Sequence, residues 1–222
     1  MNTRTSESKP QKRMDSEPAA QPRPRKRLTR EERAPDAREE IFAAAAKVVG
    51  EHGYAKASIS LITEEAGIAQ GTFYLYFKNR QALFDELLPH VGTGMLHFVG
   101  ERVKGAKDIY DMEEKAFRAF FKYLEKNPGF IRVLNEAEMA APAAHRKHFE
   151  LLASHYVESL RRGIASKEIR NFDREELETI AYMLMAARSY LHLRYLRSAK
   201  GARTLPEKVV KTYMKLVREG FR

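Results

Sequence analysis

The sequence predicts an all-α protein with a three-helix helix-turn-helix domain near its N-terminus and a larger helical bundle behind it. Three observations predict this. Apolar residues recur at a spacing near 3.6 through most of residues 36–219, with no alternating run of the kind a half-buried strand gives. Residues 53–83 hold two short helical patterns joined by Gly67 and followed at once by a third, which is the layout of a helix-turn-helix. Turn chemistry at Asn127-Pro128-Gly129, Ala141-Pro142, residues 171–173 and residues 201–206 divides the remainder into amphipathic segments.

Residues 1–34 carry Pro10, Pro18, Pro22 and Pro24, few large apolar side chains, and a cationic run of Arg23, Arg25, Lys26 and Arg27. Such a segment buries too little surface to offset its ordering entropy, so a disordered basic arm is expected. It either lies along nucleic-acid phosphates or serves as a solvated tail. From Asp36 a stripe of Ile41, Phe42, Ala45, Val48 and Val49 marks the first helix, ending near Gly50 and Gly53. Ser58, just before the apolar pattern of the second helix, is placed to cap it, and Asn79 is placed to cap the fourth. The third helix is read over residues 70–77. The fourth should run from Asn79 through Leu83, Phe84, Leu87 and Leu88, with a kink or break where Pro89, Gly92 and Gly94 interrupt it. Later helices are expected over about 95–104, 108–126, 129–139, 142–168, 174–197 and 206–219.

Composition narrows the chemistry. The chain of 222 residues has no cysteine, which excludes a disulfide framework, a thiolate metal site and a cysteine nucleophile. No apolar run approaches the roughly 20 residues needed to cross a bilayer, so the expected location is cytoplasmic and away from membranes. A net charge of +10 suits an anionic polymer, and the helix-turn-helix selects double-stranded DNA.

The segment resembles the DNA-binding domain of the TetR family of bacterial one-component transcriptional regulators. The family pattern places Ala-Gly before the recognition helix and Gly-Thr-x-Tyr-x-Tyr-Phe within it, here Ala66, Gly67, Gly71, Thr72, Tyr74, Tyr76 and Phe77, with Arg80 and Leu83 where the family has Lys-x-x-Leu. Ala69 and Leu75 depart from the usual choices, the first removing a capping hydroxyl. The resemblance covers about residues 36–84 and implies a homeodomain-like DNA-binding domain over 35–84, with a helical ligand-binding and dimerisation domain over 85–222.

Within the DNA-binding domain, Gln70 and Thr72 stand at the end of the recognition helix that points at base edges. Gln pairs bidentately with adenine, and the Thr methyl meets that of thymine. Gly71 lets the backbone come close, while Ser58, Tyr74, Tyr76, Lys78 and Arg80 suit phosphates. Phe73 and Phe77 read as core. In the bundle, the stripes Leu177, Ile180, Ala181, Leu184, Ala187, Leu191 and Val209, Val210, Tyr213, Met214, Val217 are wide enough to pair with a second copy, giving a homodimer through the last two helices. Phe120 and Tyr156 are candidate walls of a ligand pocket, and Arg188 and His192 are candidate polar groups for a ligand, such as a carboxylate. His145, His148 and His155 read as exposed or capping residues rather than a metal site. No cofactor, metal or catalytic residue is expected.

These readings, with the resemblance, imply a repressor released from a palindromic operator by a small molecule. Two rivals stay open: a ligand-independent DNA-organising protein of the same fold, and a helical enzyme. The enzyme is disfavoured because the sequence has no nucleophile motif, phosphate loop or HExxH pattern.

Overall fold

The computed structural model describes residues 30–196 and 204–221, with side chains from Ala37 onward. Among the described residues it is built of helices: α1 (Arg30–His52), α2 (Ile59–Glu65), α3 (Gln70–Phe73), α4 (Arg80–Val103), α5 (Ile109–Lys126), α6 (Phe130–Ala140), α7 (Pro142–Ala165), α8 (Leu177–Tyr195) and α9 (Glu207–Phe221). Helix α1 starts at Arg30, earlier than the sequence pattern suggested. The cationic run of residues 23–27 lies outside the described residues.

The first three helices form around the stripe of α1. Ile41, Phe42, Ala45, Val48 and Val49 are buried and meet Ile62 of α2, then Phe73 and Phe77, all in one core. Burying each such side chain contributes about 1.5–3 kcal/mol. Ser58 caps α2, its hydroxyl accepting from the Leu61 N–H at 3.2 Å. Gly67 adopts the left-handed conformation (φ +65°) that turns the chain from α2 towards α3.

The third element is shorter than expected. Only Gln70–Phe73 is α-helical, and the chain then tightens through bonds from Leu75 N–H to Thr72 O and from Tyr76 N–H to Phe73 O. Phe73 and Phe77 must both reach the core before Asn79 starts the next helix, and a tighter winding delivers both. Asn79 caps α4 by accepting from the Ala82 N–H at 2.9 Å.

Helix α4 corrects the expected break, because it runs as one helix through Pro89, Gly92 and Gly94. Proline removes one backbone bond, but Leu87 and Leu88 before it and Gly92 and Met95 after it are buried against the bundle, which holds both halves in one helix. Gly92 is needed for packing: a Cβ there would lie 2.3 Å from His148 Nδ1. Helix α4 packs on α5 and α7, α8 lies against α7, and α9 against α5.

Helix α6 joins the two domains. Its N-cap residue Gly129 meets Gly50 of α1 backbone to backbone, where a Cβ on Gly129 would lie 2.8 Å from Gly50 Cα. Arg132 donates to the Glu51 carbonyl at 2.8 Å and pairs with Glu136, which accepts from the Tyr54 N–H at 2.9 Å. Partial burial works against the Glu136 charge, but Arg132 and the Tyr54 N–H hold its carboxyl below the usual range.

Candidate DNA interface and ligand cavity

The apolar side of the helix-turn-helix is fully used and its outer side is not. Phe73 and Phe77 are buried beneath α3, with Phe77 edge-on to Phe42 at 5.3 Å between ring centres. Gln70, Gly71, Tyr74, Lys78 and Arg80 are exposed on the outside, and Ser58, Thr72 and Tyr76 are half-buried beside them. Tyr74 keeps 55% of its surface in solvent and Leu75 keeps 63%, so the two rings of the motif part company: Tyr74 points out while Tyr76 packs against the core. A Cβ on Gly71 would meet nothing within 4 Å, so nothing inside the fold requires glycine there. Ala69, the N-cap of α3, makes no side-chain cap bond, and the Thr72 N–H donates to the Ala69 carbonyl at 2.9 Å.

The second site is a cavity of about 330 Å³ enclosed by α4, α5, α6, α7 and α8, which is within the range of small-molecule sites. Its walls are largely apolar, with Met95, Leu96 and Val99 from α4, Phe120 from α5, Leu134 from α6 and Leu152 from α7. Phe120, Tyr156 and Arg188 line it. His192 does not: it borders a separate depression with Ile131, Arg132 and Tyr190. A four-residue step along α8 turns the side chain only about 40° but advances it about 6 Å along the axis, so His192 stands one turn beyond Arg188, past the cavity.

Arg188 is buried and already matched. Its guanidinium donates to Glu113 at 2.8 Å, and the Tyr213 hydroxyl donates to the same carboxylate oxygen. Burial alone would lower the Arg188 pKa, but the Glu113 carboxylate outweighs it and keeps the guanidinium firmly charged. Burial also pushes the Tyr156 and Tyr213 hydroxyls above their ordinary range. The inner cavity therefore holds one cation and one anion that satisfy each other.

His148 is the remaining polar group deep in the wall. It is 2% exposed, and neither ring nitrogen has a hydrogen-bond partner. Burial first, and the nearby His145 second, bring its pKa down to about 4, so the ring is neutral at physiological pH. This corrects the reading of His148 as an exposed or capping residue. Among the described residues, no group of three or more His, Asp and Glu side chains is placed to hold a metal ion. Glu113 and His148 were both detectable in principle: each is a polar residue on an otherwise apolar stripe, Ile109, Glu113 and Phe117 in α5 and Ala144, His148 and Leu152 in α7.

The dimer stripe is corrected as well. Leu177, Ile180, Ala181, Leu184, Val209, Val210, Tyr213, Met214 and Val217 are buried within one protomer, and Ala187 and Leu191 pack against the same core. The apolar side chains left outside are Tyr182, Met183, Tyr190 and Leu193 on α8 and Leu216 on α9.

Residues 41–87, the helix-turn-helix and the start of α4, match the sequence profile of bacterial regulatory proteins of the tetR family. Over those residues the chain resembles the DNA-binding region of that family. Over 93 residues it is 37% identical to the HTH-type transcriptional regulator YvdT of Bacillus subtilis, covering 42% of this chain and 48% of that one. Over 76 residues it is 44% identical to the fatty acid metabolism regulator protein of the same organism, covering 34% and 38%. The chain spans about half the length of the first of these relatives and less of the second. The likeness of fold extends through the bundle: the structure of transcriptional regulator FadR from Bacillus subtilis, in complex with stearoyl-CoA, superposes with a TM-score of 0.70 at 20% identity, over 83% of this chain and 100% of that one. Residues 41–87 thus carry the helix-turn-helix of bacterial regulatory proteins, and among the described residues no helix is long and apolar enough to cross a membrane.

Proposed function

We propose that this regulator is a homodimeric repressor that holds a palindromic operator and releases it when a molecule with an apolar chain enters the cavity. The cavity carries this reading, since a largely apolar space lies against α4, the helix continuous with the DNA-binding domain. A ligand acts by preferring one spacing of the two DNA-binding domains over another, and α4 is the element both ends share. The relative that regulates fatty acid metabolism and the solved regulator bound to stearoyl-CoA make acyl chains the first class to try. Gln70 and Thr72 are assigned to base edges, with Ser58, Gly71, Tyr74, Tyr76, Lys78 and Arg80 assigned to the phosphate backbone. The exposed side of α8 with Leu216 is assigned to the two-fold partner.

In vitro selection of DNA by the purified protein, followed by titration of a selected duplex with stearoyl-CoA and decanoyl-CoA, tests the proposal. Two inverted half-sites about one helical turn apart, released by at least one acyl-CoA, are expected. A motif without symmetry would defeat the two-fold reading. DNA binding indifferent to every acyl compound would defeat the ligand class.

A further inference from the structure

We propose that His148 is the ligand-recognising group of the cavity, donating a hydrogen bond from Nε2 to a neutral oxygen acceptor, such as an ester or thioester carbonyl, on a ligand whose portion inside the cavity is otherwise apolar. The inference rests on the ligand-binding reading of the cavity and adds which chemistry the cavity selects.

The reasoning starts from an unsatisfied atom. Buried polar side chains nearly always have a partner, and His148 has none at either nitrogen while forming part of the cavity wall. An uncommitted donor in an apolar wall is the kind of group that fixes a ligand's orientation. The packing chooses between the two nitrogens. The Nδ1–Cε1 edge of the ring is pressed onto Gly92, where a Cβ would lie 2.3 Å from Nδ1 and 2.4 Å from Cε1. A proton on Nδ1 would be driven against the Gly92 Cα–H, whereas a lone pair there is tolerated. The neutral ring therefore carries its proton on Nε2, which is itself covered, so a ligand meets it only when the adjoining wall side chains shift.

Charge then chooses the ligand. Burial keeps His148 uncharged, with a pKa of about 4, so it offers a carboxylate no cation. Arg188 is taken by Glu113 at 2.8 Å. Arg162, Glu158 and His155 also line the cavity but are exposed, so a free carboxylate carried past them to the depth of His148 would lose its hydration and meet a matched ion pair and a neutral ring. An ester or thioester carbonyl needs only the donor that His148 holds out.

Three probes separate the possibilities in the full-length protein by calorimetry: methyl octanoate, with a neutral acceptor; octanoate, with a charged one; and butylbenzene, with none. Methyl octanoate is expected to bind wild type at least tenfold more tightly than octanoate. His148→Phe should weaken methyl octanoate about tenfold, the size of one net hydrogen bond in a dry site, while leaving butylbenzene within about twofold. His148→Gln, which restores an N–H donor, should regain part of the loss. If His148→Phe does not fold, the comparison of octanoate with its methyl ester on wild type still decides the selectivity. Equal losses for methyl octanoate and butylbenzene in His148→Phe would reduce the residue to packing, and octanoate binding as tightly as its ester would overturn the inference. If wild type binds none of the three, the ligand-binding reading of the cavity falls, and this inference falls with it.

Discussion

His148 makes the folded protein sensitive to acid. Its pKa of about 4 lies below the ordinary 6.5, so between these values the unfolded chain takes up a proton that the folded chain refuses. Stability from this group is complete above about pH 6.5 and drains away as pH falls towards 4, on the order of 3 kcal/mol across the window. Urea unfolding at stepped pH should show a shallower decline in His148→Phe than in wild type, and parallel declines would contradict the neutral buried ring. At the DNA end, Gln70→Ala should relax base preference, whereas Arg80→Ala should weaken all sequences and reduce the salt slope by about one. Filter binding on matched and mismatched duplexes would distinguish the two, and equal loss on both duplexes in Gln70→Ala would remove it from base reading. The caps at Ser58 and Asn79 were legible because a cap is a local event, one side chain and an N–H three residues on. His148 was not legible as a buried group, because its burial depends on Gly92, more than fifty positions earlier in the chain.

At the scale of the elements, the Arg188–Glu113 pair ties α8 to α5 inside the bundle, with Tyr213 bringing in α9. Removing one charge strands the other. Arg188→Met should cost about 3–5 kcal/mol by leaving Glu113 buried without its partner, and the companion change Glu113→Leu should recover most of it. Urea unfolding of the single and double variants measures this, and a double variant no better than the single would mean the pair is not the source. Periodicity placed α5, α6, α7, α8 and α9 to within a few residues, because each buries one stripe on its neighbours. It misjudged α4 and the last two helices for one shared reason. Local propensity counts the hydrogen bond that Pro89 removes and the freedom of Gly92 and Gly94, but not the tertiary burial that keeps the helix continuous through them. A wide apolar stripe likewise does not say whether its partner is in the same protomer. In α9 it is, since Val210, Tyr213 and Val217 enter the protomer's own core.

For the whole molecule, the two-domain plan was readable from the helix-turn-helix and the change of pattern after it, but the way the domains meet was not. That meeting is made by α6, which faces the cavity with Phe130 and Leu134 and holds the end of α1 with Arg132 and Glu136. At its start, Gly129 touches Gly50 with no side chain between them, and this contact has a practical consequence. Adding one carbon to Gly129 puts an atom 2.8 Å from Gly50 Cα, and neither backbone can step aside as a flexible side chain would. Gly129→Ala is therefore a permanent shim under the DNA-binding domain. Without any ligand, this variant should bind a selected duplex with altered affinity and answer an effector with a smaller change, as read by fluorescence anisotropy. Wild-type affinity and wild-type response together would show that the contact transmits nothing. An altered affinity would instead mean that the regulatory setting of the protein is adjustable by a single methyl group, inherited in the gene, outside both the recognition helix and the cavity beside His148.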